Sequence, residues 1–300
     1  MCYRARVESP VRLHLGFVDP PGDRSYGGVG VGVEGPGAVV EAMPSGRLEV
    51  DAVDPGDVDR LRRYVEALDV DGVEVVLRRG VPAHVGLGSG TQTALSVAEA
   101  SALVRSLDVD LYDVARLLGR GDRSGVGVGV YRSGGLVADS GVGDGVPRPA
   151  VDLDLPSDWR FVVVSGEGRG PSGADEESAM EAYSAVESTD DALRAFYGLV
   201  ASAAEADVVS FGEAASEFNR LNGERYVEAG VQDDVYVMQS VVDDLLSFDS
   251  VYGAGQSSWG PSAWGLSREG EAAEVAASFE SAWVASPSSG RCRRLLYADD

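Results

Sequence analysis

PAHVGLGSGTQTALSVAEA, residues 82–100, passes without interruption from a polar, glycine-rich loop into an apolar helix. Gly86, Gly88 and Gly90 allow tight turns and a close approach of backbone to ligand, because no Cβ stands in the way. Ser89, Thr91 and Gln92 lead directly into the helix, whose first turn has unpaired N–H groups and the positive end of the helix dipole. That combination suits a phosphate group. A plain strand-to-helix turn would also use glycine, but the polar residues set among these glycines favour an anion site.

The spacing excludes two common nucleotide motifs. Gly86-x-Gly88-x-Gly90 is not the Gly-x-Gly-x-x-Gly of a dinucleotide fold, and residues 79–85 separate it from the preceding strand. All 25 basic residues are Arg and none is Lys, which removes a P-loop lysine, a Schiff base and a pyridoxal phosphate anchor. A second glycine-valine run, Gly125-x-Gly127-x-Gly129, alternates as a strand does and is expected to be one.

The 300 residues carry 49 acidic side chains against those 25, a net charge of −24, with 44% hydrophobic residues. This composition is globular, and its sign argues against nucleic acid as partner, since phosphate backbones need a basic face. A lysine-free acidic shell fits a halophilic background, where screening shortens to roughly 3 Å at 1 M salt. Cys2 and Cys292 are too few for a disulfide framework, so a reducing compartment is expected. Neither an apolar leader nor a run of roughly 18 apolar residues is visible. The expectation is a cytoplasmic protein without a membrane partner.

Outward from the loop, short β-type runs predict strands at 3–7, 12–18, 28–33, 39–42, 48–52 and 73–78. Helices are expected at 57–68, about 91–107 and 111–118, with the glycine-valine strand at 125–130. Residues 138–156 are rich in Gly, Pro and Asp and mark a boundary, giving domains at 1–155 and 156–300. The second half predicts strands at 161–164, 251–255, 263–266 and 293–297. Its helices are expected at 174–186, 191–206, 211–219, 235–246 and 271–284. Strands and helices thus mix in both halves, as in an α/β or α+β protein.

Two further clusters are candidates for chemistry. GAGQSSWGP, residues 253–261, is either a hairpin loop or a ligand-facing loop with Gln256, Ser257 and Ser258 as donors and Trp259 as an aromatic wall. Arg12 and His14 alternate with Leu13 and Leu15, so on a strand they share one face and suit a phosphate or carboxylate.

Together these stretches resemble the GHMP superfamily of galactokinase, homoserine kinase and mevalonate kinase. The resemblance is stronger to one branch, the β-ribofuranosylaminobenzene 5′-phosphate synthases. It rests on residues 9–19, 27–34, 84–92, 119–127 and 253–266, in the family's order and across nearly the whole chain. GHMP kinases commonly carry an acidic residue after a Ser-Gly-x step. Here the run is Ser124-Gly125-Val126-Gly127, with glycine in that place. The resemblance implies an α+β fold of two domains, an N-terminal ribosomal-protein-S5-like layer and a C-terminal ferredoxin-like one. It implies condensation of phosphoribosyl pyrophosphate, with Mg2+, and 4-aminobenzoate or a related para-substituted benzoate. CO2 and pyrophosphate would be released, towards a methanopterin-type cofactor.

In that scheme Gly86, Gly88, Ser89, Gly90, Thr91, Gln92, Ser124 and Gly125 hold phosphate, and Arg12, His14 and Gln256 serve catalysis. Ser257, Ser258 and Trp259 contact substrate, no resident protein-bound metal is implied, and a homodimer is common in the superfamily. Two alternatives stand beside it. One is a small-molecule kinase using ATP, with Asp122, Asp139 or Glu167 as its carboxylate. The other is a non-catalytic relative that binds a phosphorylated metabolite.

Overall fold

The computed structural model describes residues 3–20, 22–168, 170 and 174–297. The first sheet is built of β1 (Tyr3–Glu8), β4 (Val39–Pro44), β5 (Glu49–Ala52), β6 (Val73–Arg79) and β13 (Cys292–Tyr297), in the order β13-β1-β4-β6-β5. Only β5 and β6 in it run parallel, joined across α1 (Val58–Ala67). The second sheet runs β2 (Val11–Val18), β3 (Gly27–Val33), β7 (Gly135–Asp139), β8 (Pro149–Leu153). Strand β9 (Trp159–Ser165) opens the third, whose order is β10 (Gly253–Gln256), β11 (Ser262–Arg268), β9, β12 (Ala282–Ala285). Counted along the chain that order is 2-3-1-4, and α9 (Ala272–Ala276) lies before its last strand. This is the ferredoxin-like split βαβ arrangement. The fold is α+β.

Helix α2 (Ser89–Val104) packs on β1 and β4 and is buried at every position from Gln92 to Ala102. Its small residues, Ala94, Ala98, Ser101 and Ala102, make that close fit possible, and no amphipathic stripe survives when all faces are covered. Helix α3 (Leu111–Leu117) and α4 (Val126–Ser133) complete the first layer. In the second half come α5 (Ala174–Ser184), α6 (Asp190–Glu205), α7 (Val208–Glu228) and α8 (Gln239–Leu246). One continuous apolar core joins both halves, from Val7 and Leu95 to Trp159, Phe211 and Trp264.

The expected strand at 125–130 is instead the helix α4. The Asp139 carboxylate accepts the Gly125 N–H at 2.8 Å and the Ser124 hydroxyl at 2.9 Å, and the Val126 N–H binds the Ser124 oxygen at 3.2 Å. That cap starts a helix which local alternation disfavours. A Cβ on Gly125 would lie 1.9 Å from the Pro147 carbonyl oxygen, so the glycine serves close packing rather than a strand. The strand comes later, as β7, and β8 occupies part of the stretch read as a boundary.

Residues 271–284 are not one helix but the five-residue α9 followed by β12. Helix α7 is far longer than the expected 211–219. Its buried face includes Asn219, Asn222 and Arg225, polar residues that hide the apolar period. The last strand, β13, pairs with β1 in the first sheet, so the chain crosses back over the boundary near residue 155. Among the described residues no helix is long and apolar enough to cross a membrane.

Candidate functional site

Strand β2 turns Arg12 and His14 towards a cleft where three segments meet. The Arg12 N–H donates to the Leu87 carbonyl at 3.3 Å, which ties the strand to the glycine loop. The Ser257 hydroxyl, fully buried, accepts the His14 N–H at 3.0 Å and donates to the Gly86 carbonyl at 2.8 Å. The Ser258 N–H donates to the His14 carbonyl at 3.0 Å. One hydroxyl therefore fastens β2, the glycine loop and the β10–β11 loop together. Gly86 has φ +85°, and a Cβ there would stand 2.1 Å from the Ser257 carbonyl oxygen, so glycine is required.

The cleft has two connected arms, of about 540 and 370 Å³, which share Arg12, Thr91, Arg120, Arg123, Glu176, Ser258 and Trp259. The smaller arm is lined by Gly86, Gly88, Ser89 and Gly90, with Arg60 at its rim. Gly88, at φ +76°, is the N-cap of α2, and the first bond within the helix runs from the Gln92 N–H to the Gly88 carbonyl at 3.1 Å. The N–H groups of Ser89, Gly90 and Thr91 precede that bond and are left for a ligand. No acidic side chain stands in this first turn. Nε of Arg120 is buried without a partner among the described residues, while its Nη2 donates to the Tyr64 hydroxyl at 2.6 Å. Arg123 pairs with Glu176 at 2.9 Å.

The larger arm is walled by His14, Phe17, Tyr26, Met180 and Trp259. The Phe17 ring lies 4.5 Å from His14 and 5.1 Å from Tyr26, centroid to centroid. Asp122, Glu177 and Glu181 face the same space. Phe17 is held from behind, its N–H donating to Asn222 Oδ1 at 2.7 Å, an oxygen that also accepts the Tyr183 hydroxyl at 2.7 Å. Through Tyr183 the buried end of α7 thereby positions α5 as the far wall.

Arg12 joins the arms. Its Nε and Nη1 are sealed from solvent without a partner among the described residues. Burial lowers its pKa to about 10, against the opposing pull of Glu176, so it stays charged at neutral pH. Burial, and then the neighbouring Arg12 charge, hold the His14 imidazole well below its usual range. It is neutral, and both its ring nitrogens lack partners among the described residues. Burial also raises the Tyr26 hydroxyl above its ordinary value.

Of the residues expected to hold phosphate, Gly86, Gly88, Ser89, Gly90 and Thr91 line the smaller arm. Gln92 lies outside both arms; its Nε2 donates to the Gly127 carbonyl at 2.8 Å and braces α2 against α4. Ser124 borders the larger arm, but its hydroxyl and the Gly125 N–H are committed to Asp139. Gln256 likewise stands behind the cleft. Its Oε1 accepts the Val237 N–H and its Nε2 donates to the Ser258 carbonyl at 2.7 Å. That bond helps hold Ser258 at φ +58°, a conformation costing about 1–3 kcal/mol in a non-glycine residue. Gln256 and Ser257 thus position the loop, while Ser258 and Trp259 line both arms.

Among the carboxylates weighed for a kinase, Asp139 is spent on the α4 cap and Glu167 is exposed outside both arms; Asp122 borders the larger one. Gly127 lines that arm too, and a Cβ there would sit 3.2 Å from the Thr91 methyl carbon. Sequence reasoning missed Arg120 and Arg123, both inside the glycine-rich run 119–127, and the aromatic walls Phe17 and Tyr26. The available signal was two arginines in a glycine loop of a strongly acidic chain.

The GHMP kinases N terminal domain family matches residues 58–134. A β-ribofuranosylphenol 5′-phosphate synthase of Methanothermobacter thermautotrophicus is 26% identical, the match covering 88% of each chain. One of the same name from Archaeoglobus fulgidus is 30% identical over 72% of this chain and 75% of its own. Among solved structures, a homoserine kinase from Cytophaga hutchinsonii superimposes with TM-score 0.70 at 16% identity, over 98% of this chain and 97% of that one.

Proposed function

The chain belongs to the β-ribofuranosylphenol 5′-phosphate synthase family of the GHMP superfamily, and on that premise we propose that it joins phosphoribosyl pyrophosphate to a para-substituted benzoate, releasing pyrophosphate and CO2. The observation that carries the reading is the direct opening of a cationic phosphate arm into an aromatic arm through Arg12. The first N–H groups of α2, with Arg12, Arg120 and Arg123, meet a diphosphate as it departs, so negative charge is stabilised where it develops. The rings of Phe17, Tyr26 and Trp259 receive a planar acceptor and keep water from the oxocarbenium-like sugar.

Among the described residues no three His, Cys, Asp or Glu side chains gather as a metal cage. The residues present instead fit Mg2+ carried on the diphosphate, with Asp122 or Glu177 as single carboxylate neighbours. Bound there, the ion would add charge neutralisation to the leaving group. The relatives are named for a phenol product, where the sequence resemblance put the amine first; both acceptors belong to the para-substituted class.

Glycine at position 127 leaves the α4 end of the cleft without the carboxylate that would activate an alcohol. Of the three carboxylates weighed for the kinase reading only Asp122 borders the cleft, and one experiment separates the two readings. In isothermal titration with Mg2+ in molar KCl, phosphoribosyl pyrophosphate is expected to bind and ATP not to. Binding of ATP alone would overturn the synthase reading.

A further inference from the structure

Resting on the synthase reading, we propose that His14 receives the proton of a phenolic acceptor, whose hydroxyl lies against the imidazole and whose carboxylate-bearing carbon faces Arg12 and the sugar. His14 is 3% exposed and borders the aromatic arm, yet both ring nitrogens lack a hydrogen-bond partner among the described residues. A buried polar group left in that state costs about 1–3 kcal/mol, so the arrangement awaits a ligand atom. The Ser257 hydroxyl and both ends of the Gln256 amide, in the loop beside it, are by contrast already paired.

The order of residues along β2 sets the orientation. Arg12 belongs to both arms, His14 only to the aromatic arm, and Phe17 lies deeper still, bordering a further small cavity behind it. Arg12 and His14 are two residues apart on one strand face, about 6.7 Å along the strand. The sugar carbon under attack must sit at the junction of the arms, between the phosphate donors and the ring. An acceptor that turns its carboxylate-bearing carbon to that junction, beside Arg12, points its para substituent along β2 to His14.

The electron count closes without another reactant. The ring carbon bearing the carboxylate bonds to the anomeric carbon, whose bond to the diphosphate oxygen breaks with the pair leaving on diphosphate. As the ring pushes electrons, the phenolic O–H bond breaks, its proton passes to the neutral imidazole nitrogen and the oxygen becomes a carbonyl. The bond to CO2 then breaks, its pair restores the aromatic ring, and the oxygen takes the proton back from the imidazolium. A weak base suffices, because a phenol oxygen becomes a protonated carbonyl during attack and is then a far stronger acid than imidazolium. The neutral resting state enforced by burial and by Arg12 leaves a nitrogen lone pair free to take the proton. An amine acceptor can carry the positive charge on nitrogen without losing a proton, so it relies on His14 much less.

The test compares His14→Gln with wild type on 4-hydroxybenzoate and 4-aminobenzoate, following CO2 release at saturating phosphoribosyl pyrophosphate. We expect kcat/KM for the phenol to fall about 100-fold or more, and by at least about tenfold more than for the amine. Equal losses on both acceptors, or no loss, overturn the assignment while leaving the synthase reading in place. A wild-type protein that releases CO2 from neither acceptor overturns both. Should the variant fail to fold, wild type in D2O decides the matter. A normal solvent isotope effect on kcat with the phenol and none with the amine supports the proton transfer, and the same effect with both refutes it.

Discussion

Ser257 and His14 show how much a single side chain does here. The Ser257 hydroxyl satisfies the His14 N–H and the Gly86 carbonyl, so Ser257→Ala leaves two buried backbone groups unpaired. A loss of about 1–3 kcal/mol of unfolding free energy is expected, with weaker binding of phosphoribosyl pyrophosphate, both measurable by denaturant titration and calorimetry. His14 makes a separate claim on pH. In the unfolded chain its imidazole binds a proton below about 6.5; in the folded protein it stays neutral to well below that. The unfolded state therefore holds the extra proton, and stability falls as pH drops below about 6.5, by up to about 1.4 kcal/mol per pH unit. His14→Gln lacks this component. Between pH 7 and pH 5 the variant should lose less stability than wild type, and equal losses would contradict the buried neutral imidazole.

Helices α2 and α4 meet at the cleft but carry different duties. Helix α2 presents uncapped N–H groups, whereas at the start of α4 the Gly125 and Val126 N–H groups are taken by Asp139 and Ser124. The anion is therefore expected at α2. Ser89→Ala with Thr91→Ala should weaken phosphoribosyl pyrophosphate binding, and unchanged affinity in titration would refute that placement. Gly127→Asp places a carboxylate beside Thr91, where like charge opposes the phosphates. Its affinity should fall by about tenfold or more, equivalent to about 1.4 kcal/mol.

Across the whole molecule, 49 acidic residues surround a site built on arginine. A net charge of −24 repels itself when unscreened, so the thermal midpoint is expected to rise between dilute buffer and molar KCl. A midpoint that stays level or falls would show that self-repulsion does not limit this fold. The smaller arm is expected to draw anions, because Arg12, Arg120 and Arg123 gather there, from segments more than 100 residues apart in the case of Arg12 and Arg120.

By itself the sequence determined the glycine loop and its helix, the strand that pairs Arg12 with His14, and most strands of the first and third sheets, with half of the second. Those features rest on local causes: side-chain period, turn residues and unpaired N–H groups at a helix start. Its resemblance to the family followed from the same stretches. Only the tertiary structure decided that Gly125–Gly129 is helical, because the cap that starts α4 comes from Asp139 on a later strand. Nor did local pattern separate Gln256 and Ser257, which hold the loop, from Ser258 and Trp259, which line the cleft. Adjacent donors in one glycine-serine run look alike until long-range hydrogen bonds to residues 14, 86 and 237 show which of them are already spent.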